Sequence, residues 1–258
     1  MSAGFKTVKV EQRGNVAYLT ISRPPLNIIN LEMINEITQA LDGLATKQEL
    51  NVLVVRSGLD NIFSAGADVR EHLPDTAEEL INRFGEMLER LIYFPRPTVC
   101  VVDGRCMGGG MELAMACDFI IASERAELGQ PEIKVGVYPP IAAALLPRLV
   151  GLRQAARIIL TGGMLEAWEA YRIGLVNEVA KPEELEGRLE KLLNQLTNNS
   201  GAVMLYGKKA LLEGLELPLK KALAKASEIY LKELMQTEDA VEGLRAFLDK
   251  RRPQWRNK

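Results

Sequence analysis

The stretch Val99-Cys100-Val101-Val102-Asp103-Gly104-Arg105-Cys106-Met107-Gly108-Gly109-Gly110-Met111-Glu112 decides the fold and carries much of the chemistry of this chain. Its first four residues form a continuous apolar run, the pattern of a strand covered on both faces. Three consecutive glycines then open a predicted helix. Amide groups at a helix N-terminus carry partial positive charge and suit an oxyanion, and glycine lets a ligand approach the main chain closely. Close packing of the helix on the strand also favours glycine. Glu112 falls in the first turn of that helix. A carboxylate there can move protons, and it is also stabilised by the helix dipole alone. The stretch lacks the Lys-Ser/Thr of a P-loop and does not match G-x-G-x-x-G, so a phosphate cradle is the weaker reading.

Working outward, Val16–Ile21 follows a turn at Gly14-Asn15 and reads as a strand, as do Val52–Val55 and Phe119–Ala122. Leu31, Ile34, Ile37, Leu41 and Leu44 recur at helical spacing. Apolar strands separated by helices predict an α/β core, and their uneven recurrence hints at a coiled ββα repeat. After Gly151 the chain turns mostly helical, with Leu175–Val179 as the exception. Pro182 can open a helix. Leu185–Leu196, Ala202–Leu215, Leu219–Met235 and Ala240–Leu248 follow as further helices. The expected division is a core over residues 1–190 and a helical region over residues 191–258.

Composition bounds the function. With 32 Lys and Arg against 34 Asp and Glu, the chain has no basic excess, so no nucleic-acid partner is expected. The basic end (Lys250, Arg251, Arg252, Arg256, Lys258) follows acids and reads as a solvated end or an interface. No apolar run reaches the roughly 18 residues that a membrane span needs, so no membrane partner is expected. Cys100, Cys106 and Cys117 are odd in number and form no CxxC, and Met1–Lys6 lacks the apolar core of a signal peptide. A reducing cytoplasm is therefore expected. The cysteines read as small core residues. His72 is the only histidine, which excludes a multi-histidine metal site; no metal is expected.

Further segments bear on a site. Gly129-Gln130-Pro131-Glu132 again joins a glycine to a carboxylate, in a predicted loop, where Glu132 could equally be solvated. Spacing alone does not show that Glu112 and Glu132 converge. In Phe63-Ser64-Ala65-Gly66-Ala67-Asp68 the small residues form a tight turn that could bring the Ala67 N–H to a ligand. Gly136-Val137-Tyr138-Pro139-Pro140-Ile141-Ala142-Ala143-Ala144 opens a helix and could line a pocket or pack in the core. His72, in Glu71-His72-Leu73-Pro74-Asp75, is a pocket residue or a surface one.

At these residues the chain resembles the crotonase (enoyl-CoA hydratase/isomerase) superfamily. The resemblance runs through Arg23-Pro24 with Asn27, Ala65–Asp68, Gly108–Gly110 and Gly129–Glu132. It continues through Leu160-Thr161-Gly162, Ala167, Ala170 and Gly174-Leu175-Val176. It closes with Glu242-Gly243, Ala246-Phe247-Leu248 and Lys250-Arg251. It implies a crotonase-like right-handed spiral of ββα repeats with a helical C-terminal trimerisation region, giving a homotrimer or a hexamer of two trimers. It implies an acyl-CoA thioester substrate whose carbonyl oxygen is held by the N–H groups of Ala67 and Gly109. Glu112 and Glu132 are then the catalytic pair, and their joint presence implies hydration rather than isomerisation or dehalogenation. Ala65, Gly66, Asp68, His72, Tyr138 and Pro140 are expected along the substrate. No metal or redox cofactor is implied, because coenzyme A belongs to the substrate.

One segment departs from the family pattern. Hydratases usually read P-G-A-G-G where this chain reads Pro139-Pro140-Ile141-Ala142-Ala143, and Pro140 has no N–H to offer. That segment, Glu71–Asp75 and Tyr230–Met235 with Asp239–Gly243 resemble one branch, the cyclohexa-1,5-diene-1-carbonyl-CoA hydratases of anaerobic benzoyl-CoA degradation. The implied reaction adds water to give 6-hydroxycyclohex-1-ene-1-carbonyl-CoA. A general enoyl-CoA hydratase of fatty-acid or amino-acid catabolism is the alternative. A non-catalytic module of the same fold that binds RNA or a partner protein is another, opposed by the balanced charge and the intact glutamate pair.

Overall fold

Each apolar run alternates its side chains between two faces, so a strand that is apolar throughout needs cover on both. The computed structural model, which describes residues 4–258, supplies that cover. β1 (Val8–Arg13) and β2 (Val16–Ile21) form a hairpin, followed by α1 (Leu31–Ala45). Three turns of similar plan follow: β3 (Val52–Ser57), β4 (Ile62–Ser64) and α2 (Ala77–Ile92); β5 (Thr98–Val102), β6 (Arg105–Met107) and α3 (Gly109–Met115); β7 (Phe119–Ser123), β8 (Glu127–Gly129), α4 (Pro140–Val150) and α5 (Leu152–Thr161). In each turn the first strand joins a six-stranded sheet, in the order β1-β2-β3-β5-β7 and then β10 (Glu178–Ala180). The second strand joins a four-stranded sheet, β4-β6-β8 and then β9 (Met164–Glu166), which precedes α6 (Ala167–Arg172). The architecture is thus the spiral of ββα turns that the resemblance implied.

The two faces of the large sheet bury two clusters. Leu19, Leu53, Val55, Cys100 and Val102 face α1, α2 and α3. Their neighbours Tyr18, Val52, Val54, Val99 and Val101 face the other way and are covered by Leu185, Leu189 and Leu193 of α7 (Leu185–Thr197). Each fully buried side chain of this size contributes about 1.5–3 kcal/mol. The same packing bears on the expected division at residues 190 and 191. It falls inside α7, whose leucines on both sides of it cover one sheet face, so the helical region begins after α7. That region comprises α8 (Gly201–Leu215), α9 (Leu219–Lys232) and α10 (Glu238–Leu248). Of Leu175–Val179, the expected exception to the helical pattern, Glu178 and Val179 enter β10, and Leu175 and Val176 are buried in the preceding loop.

The helical region is tied down by buried polar groups. Lys208 of α8, 8% exposed, donates to Asp118 Oδ2 at 2.7 Å and to the Arg96 carbonyl at 3.3 Å. Asp239 of α10 accepts from Ser200 Oγ at 2.6 Å, Arg256 N at 2.8 Å and Asn257 N at 2.9 Å, strapping the tail across α8 and α10. All three cysteines are unpaired and buried, and burial pushes the thiols of Cys100 and Cys106 up. No helix among the described residues is long and apolar enough to cross a membrane.

Candidate active site

The site forms where the third turn of the spiral meets its neighbours. Gly108 precedes α3 at φ 51° and ψ −126°, a conformation that L side chains do not adopt. A Cβ there would also overlap Glu132 Oε1, so the glycine seats the carboxylate on the main chain. A Cβ on Gly109 would stand 3.1 Å from Ala67 N, and one on Gly66 would stand 3.6 Å from Gly109 N. The two turns therefore meet backbone to backbone. Neither the Ala67 N–H nor the Gly109 N–H has an acceptor among the described residues. Two free donors side by side at a helix start are what a developing oxyanion needs.

A buried network fixes the Ala67 turn. Asn27 is fully buried; it accepts from Arg23 N at 2.6 Å and donates to Ser57 Oγ and the Phe63 carbonyl, each at 2.9 Å. Ser64 Oγ donates to the Asn27 carbonyl at 2.7 Å and accepts from Gly66 N at 3.1 Å. Ile29 N donates to Gly66 O and Asp68 N to Ile29 O, both at 2.9 Å, which leaves Ala67 N as the odd donor out.

Glu112 is 4% exposed. Its Oε1 accepts from Ala142 N at 2.7 Å, and Ile141 N also points at it. Both amides belong to the first turn of α4, where N–H groups lack helical acceptors. Burial raises this carboxyl to about 7 against those amides, helped by the negative charge of Glu132. Glu132 stands in a 3-10 turn, Pro131–Val135, and is half-buried rather than solvated. Its carboxyl is also raised, by burial, while its own backbone N–H and nearby His72 oppose the shift. Gln130 is fully buried; with its NH2 turned to the carboxylate it stands 3.1 Å from both Glu132 oxygens. Two glutamates far apart in sequence thus share one electrostatic site, each inclined to hold a proton.

The other expected residues divide. Ala65 and Gly66 form the turn itself. His72 Nδ1 donates to the Asp68 carbonyl at 3.0 Å, which fixes the ring beside Glu132. The Asp68 carboxylate is taken up by Arg70, accepting from its N, Nε and Nη2 at 3.1, 3.0 and 2.6 Å, so Asp68 supports the turn through local bonds. Pro140 opens α4 and leaves the next two amides to serve Glu112. Tyr138 is 64% exposed and makes no hydrogen bond to either glutamate. Asn27, Ser64, Gln130 and Ala142 were not singled out from the sequence as parts of a site. A groove between β1 and α1, about 1010 Å³, is lined by no carboxylate at all and offers no such chemistry. No group of three or more His, Cys, Asp or Glu among the described residues could hold a metal ion.

Comparison with known proteins bears on this arrangement. The family model described as enoyl-CoA hydratase/isomerase matches residues 11–258. A short-chain-enoyl-CoA hydratase of Clostridium acetobutylicum is 34% identical over 254 residues, covering 96% of this chain and 97% of that one. A cyclohexa-1,5-dienecarbonyl-CoA hydratase of Thauera aromatica is 32% identical over 260 residues, covering 100% of both. Among solved structures, an enoyl-CoA hydratase from Bacillus anthracis superposes with a TM-score of 0.93 at 27% identity, covering 98% of this chain and 100% of that one.

Proposed function

The chain belongs to the enoyl-CoA hydratase/isomerase family and is an enzyme of the hydro-lyase type, and from that premise we propose that it adds water to a cyclic conjugated dienoyl-CoA, cyclohexa-1,5-diene-1-carbonyl-CoA. The observation that carries the chemistry is the pairing of buried Glu112 and half-buried Glu132 with the unpaired N–H groups of Ala67 and Gly109. The thioester oxygen accepts from both N–H groups, so charge that develops on it is stabilised where it forms. One glutamate, as carboxylate, takes a proton from water. The water oxygen bonds to the carbon β to the carbonyl, and the double-bond electrons move toward the thioester oxygen. The dienolate is conjugated through the ring, and the second carboxyl delivers a proton at its far end. The result is 1,4-addition with a new ring double bond next to the thioester carbon, the 6-hydroxycyclohex-1-ene-1-carbonyl-CoA skeleton. No oxidation or reduction is involved, and coenzyme A enters only as part of the substrate.

The cyclic substrate is supported by the Pro140-Ile141-Ala142 segment and by the full-length similarity to the Thauera aromatica protein. A short linear enoyl-CoA is the second reading, favoured by the 34% identity to the Clostridium protein. Purified protein offered cyclohexa-1,5-diene-1-carbonyl-CoA beside crotonyl-CoA separates them. Hydration of the diene is the expected result, and turnover of crotonyl-CoA alone would return the substrate to the linear class. Glu112→Gln and Glu132→Gln are each expected to lose at least about 10²-fold in kcat with the fold retained. Near-wild-type turnover in either folded variant would remove that residue from the mechanism.

The working form in this reading is a cytoplasmic homotrimer or a hexamer of two trimers. It is supported by the apolar surface that α8, α9 and α10 leave open, including Leu215, Leu219, Phe247 and Leu248, each at least 75% exposed.

A further inference from the structure

α2 runs beside the reacting groups, and two of its residues face them differently. Phe84 is buried, and its ring tip lies 3.3 Å from where a Cβ on Gly109 would stand, so the ring packs against Gly109. Gly85, the next residue, presents bare backbone. A Cβ there would meet one atom within 4 Å, Ile141 Cδ1 at 3.7 Å. Ile141 is the second residue of α4, half-buried, with its own amide and the next directed at Glu112. One residue therefore reaches from the acid toward the opposite helix and narrows the gap between α2 and α4 to about the room of one methyl group. The α2 side is thin at that point because residue 85 has no side chain.

On the acyl-CoA reading above, we propose that Phe84, Gly85 and Ile141 form the end wall of the acyl compartment and restrict the enzyme to compact acyl groups, rings or short chains. A compact acyl group ends against the tip of the Phe84 ring and the branched Ile141 side chain. A long linear acyl chain has to pass between Gly85 and Ile141, where a single Cβ added to Gly85 would already stand in van der Waals contact with Ile141 Cδ1. Ile141 thereby has two separable parts: its backbone serves Glu112, and its side chain sets size. Truncation to alanine keeps the first and removes the second.

Calorimetric titration of the full chain with butyryl-, hexanoyl- and decanoyl-CoA reads the wall without any chemical step, because saturated thioesters are not hydrated. Wild-type protein is expected to bind decanoyl-CoA about tenfold or more weakly than hexanoyl-CoA, and Ile141→Ala to bring the two within about threefold. Gly85→Met, which thickens the wall from the other helix, is expected to weaken hexanoyl-CoA relative to butyryl-CoA. Equal wild-type affinity for hexanoyl- and decanoyl-CoA overturns the wall, and so does a ratio that Ile141→Ala leaves unchanged. Size-selective binding without turnover of any enoyl-CoA keeps the wall and sinks the hydratase reading alone. Absence of binding by all three thioesters sinks both.

Discussion

Glu112 holds its proton to about pH 7 in the fold, against 4.5 for an ordinary glutamate. Folding therefore favours its neutral form. Below about pH 4 the group is protonated folded and unfolded alike, and it adds no pH-dependent term. As pH rises from 4.5 through 7 the unfolded chain releases the proton first and stability falls, by about 3 kcal/mol once both states are ionised. Glu112→Gln keeps an acceptor for Ala142 N and has no charge to bury. It is expected to unfold at higher urea concentration than wild type at pH 8 and at a similar concentration at pH 4. A variant no more stable than wild type at pH 8 would contradict the burial argument. The same proton sets the rate: kcat/KM is expected to fall on the alkaline side with an apparent pKa near 7, because one carboxyl must be charged while the other is neutral. At this scale the sequence was legible where chemistry sits in local pattern, as with Glu112 behind its glycines. Gln130 and Phe84 were not legible, because a buried amide beside a proline and an aromatic on a helix look like ordinary packing until their neighbours are known.

Elements carry the geometry that residues alone lack. The turn at Gly108 combines a backbone conformation closed to other residues with contact to Glu132. Gly108→Ala is expected to cost about 1–3 kcal/mol of stability, and also to lower kcat by displacing the carboxylate. A folded variant with unchanged kcat would separate the turn from catalysis. Asn27→Ala removes the hydrogen bonds of a buried amide beneath the Ala67 turn and is expected to destabilise by about 1–3 kcal/mol, measured by thermal unfolding. The long apolar strands and the leucine-patterned helices were legible because each spans several periods of its repeat. β4, β6, β8 and β9 were not, since three residues such as Arg105–Met107 or Glu127–Gly129 contain neither a period nor an apolar run. The convergence of Glu112 with Glu132 was hidden for the same reason: the small sheet that brings β6 beside β8 is made of those short strands.

At the scale of the whole molecule, the helical region is both anchored and incomplete. Lys208 fastens it to the core and Asp239 ties its tail to the start of α8, while Leu215, Leu219, Phe247 and Leu248 face outward. Sedimentation is expected to give a mass that is three or six times 28.6 kDa, and a monomer at micromolar concentration would leave that surface unexplained. Deleting residues 253–258 strips Asp239 of two backbone donors and is expected to lower the melting temperature without altering the two glutamates. The cysteines have a practical consequence. All three thiols are sealed in the core, so the folded surface offers nothing to a maleimide dye. One cysteine introduced at exposed Tyr138, six residues beyond Glu132, would then be the single labelling point, and its fluorescence could report ligand arrival in real time on an otherwise silent background.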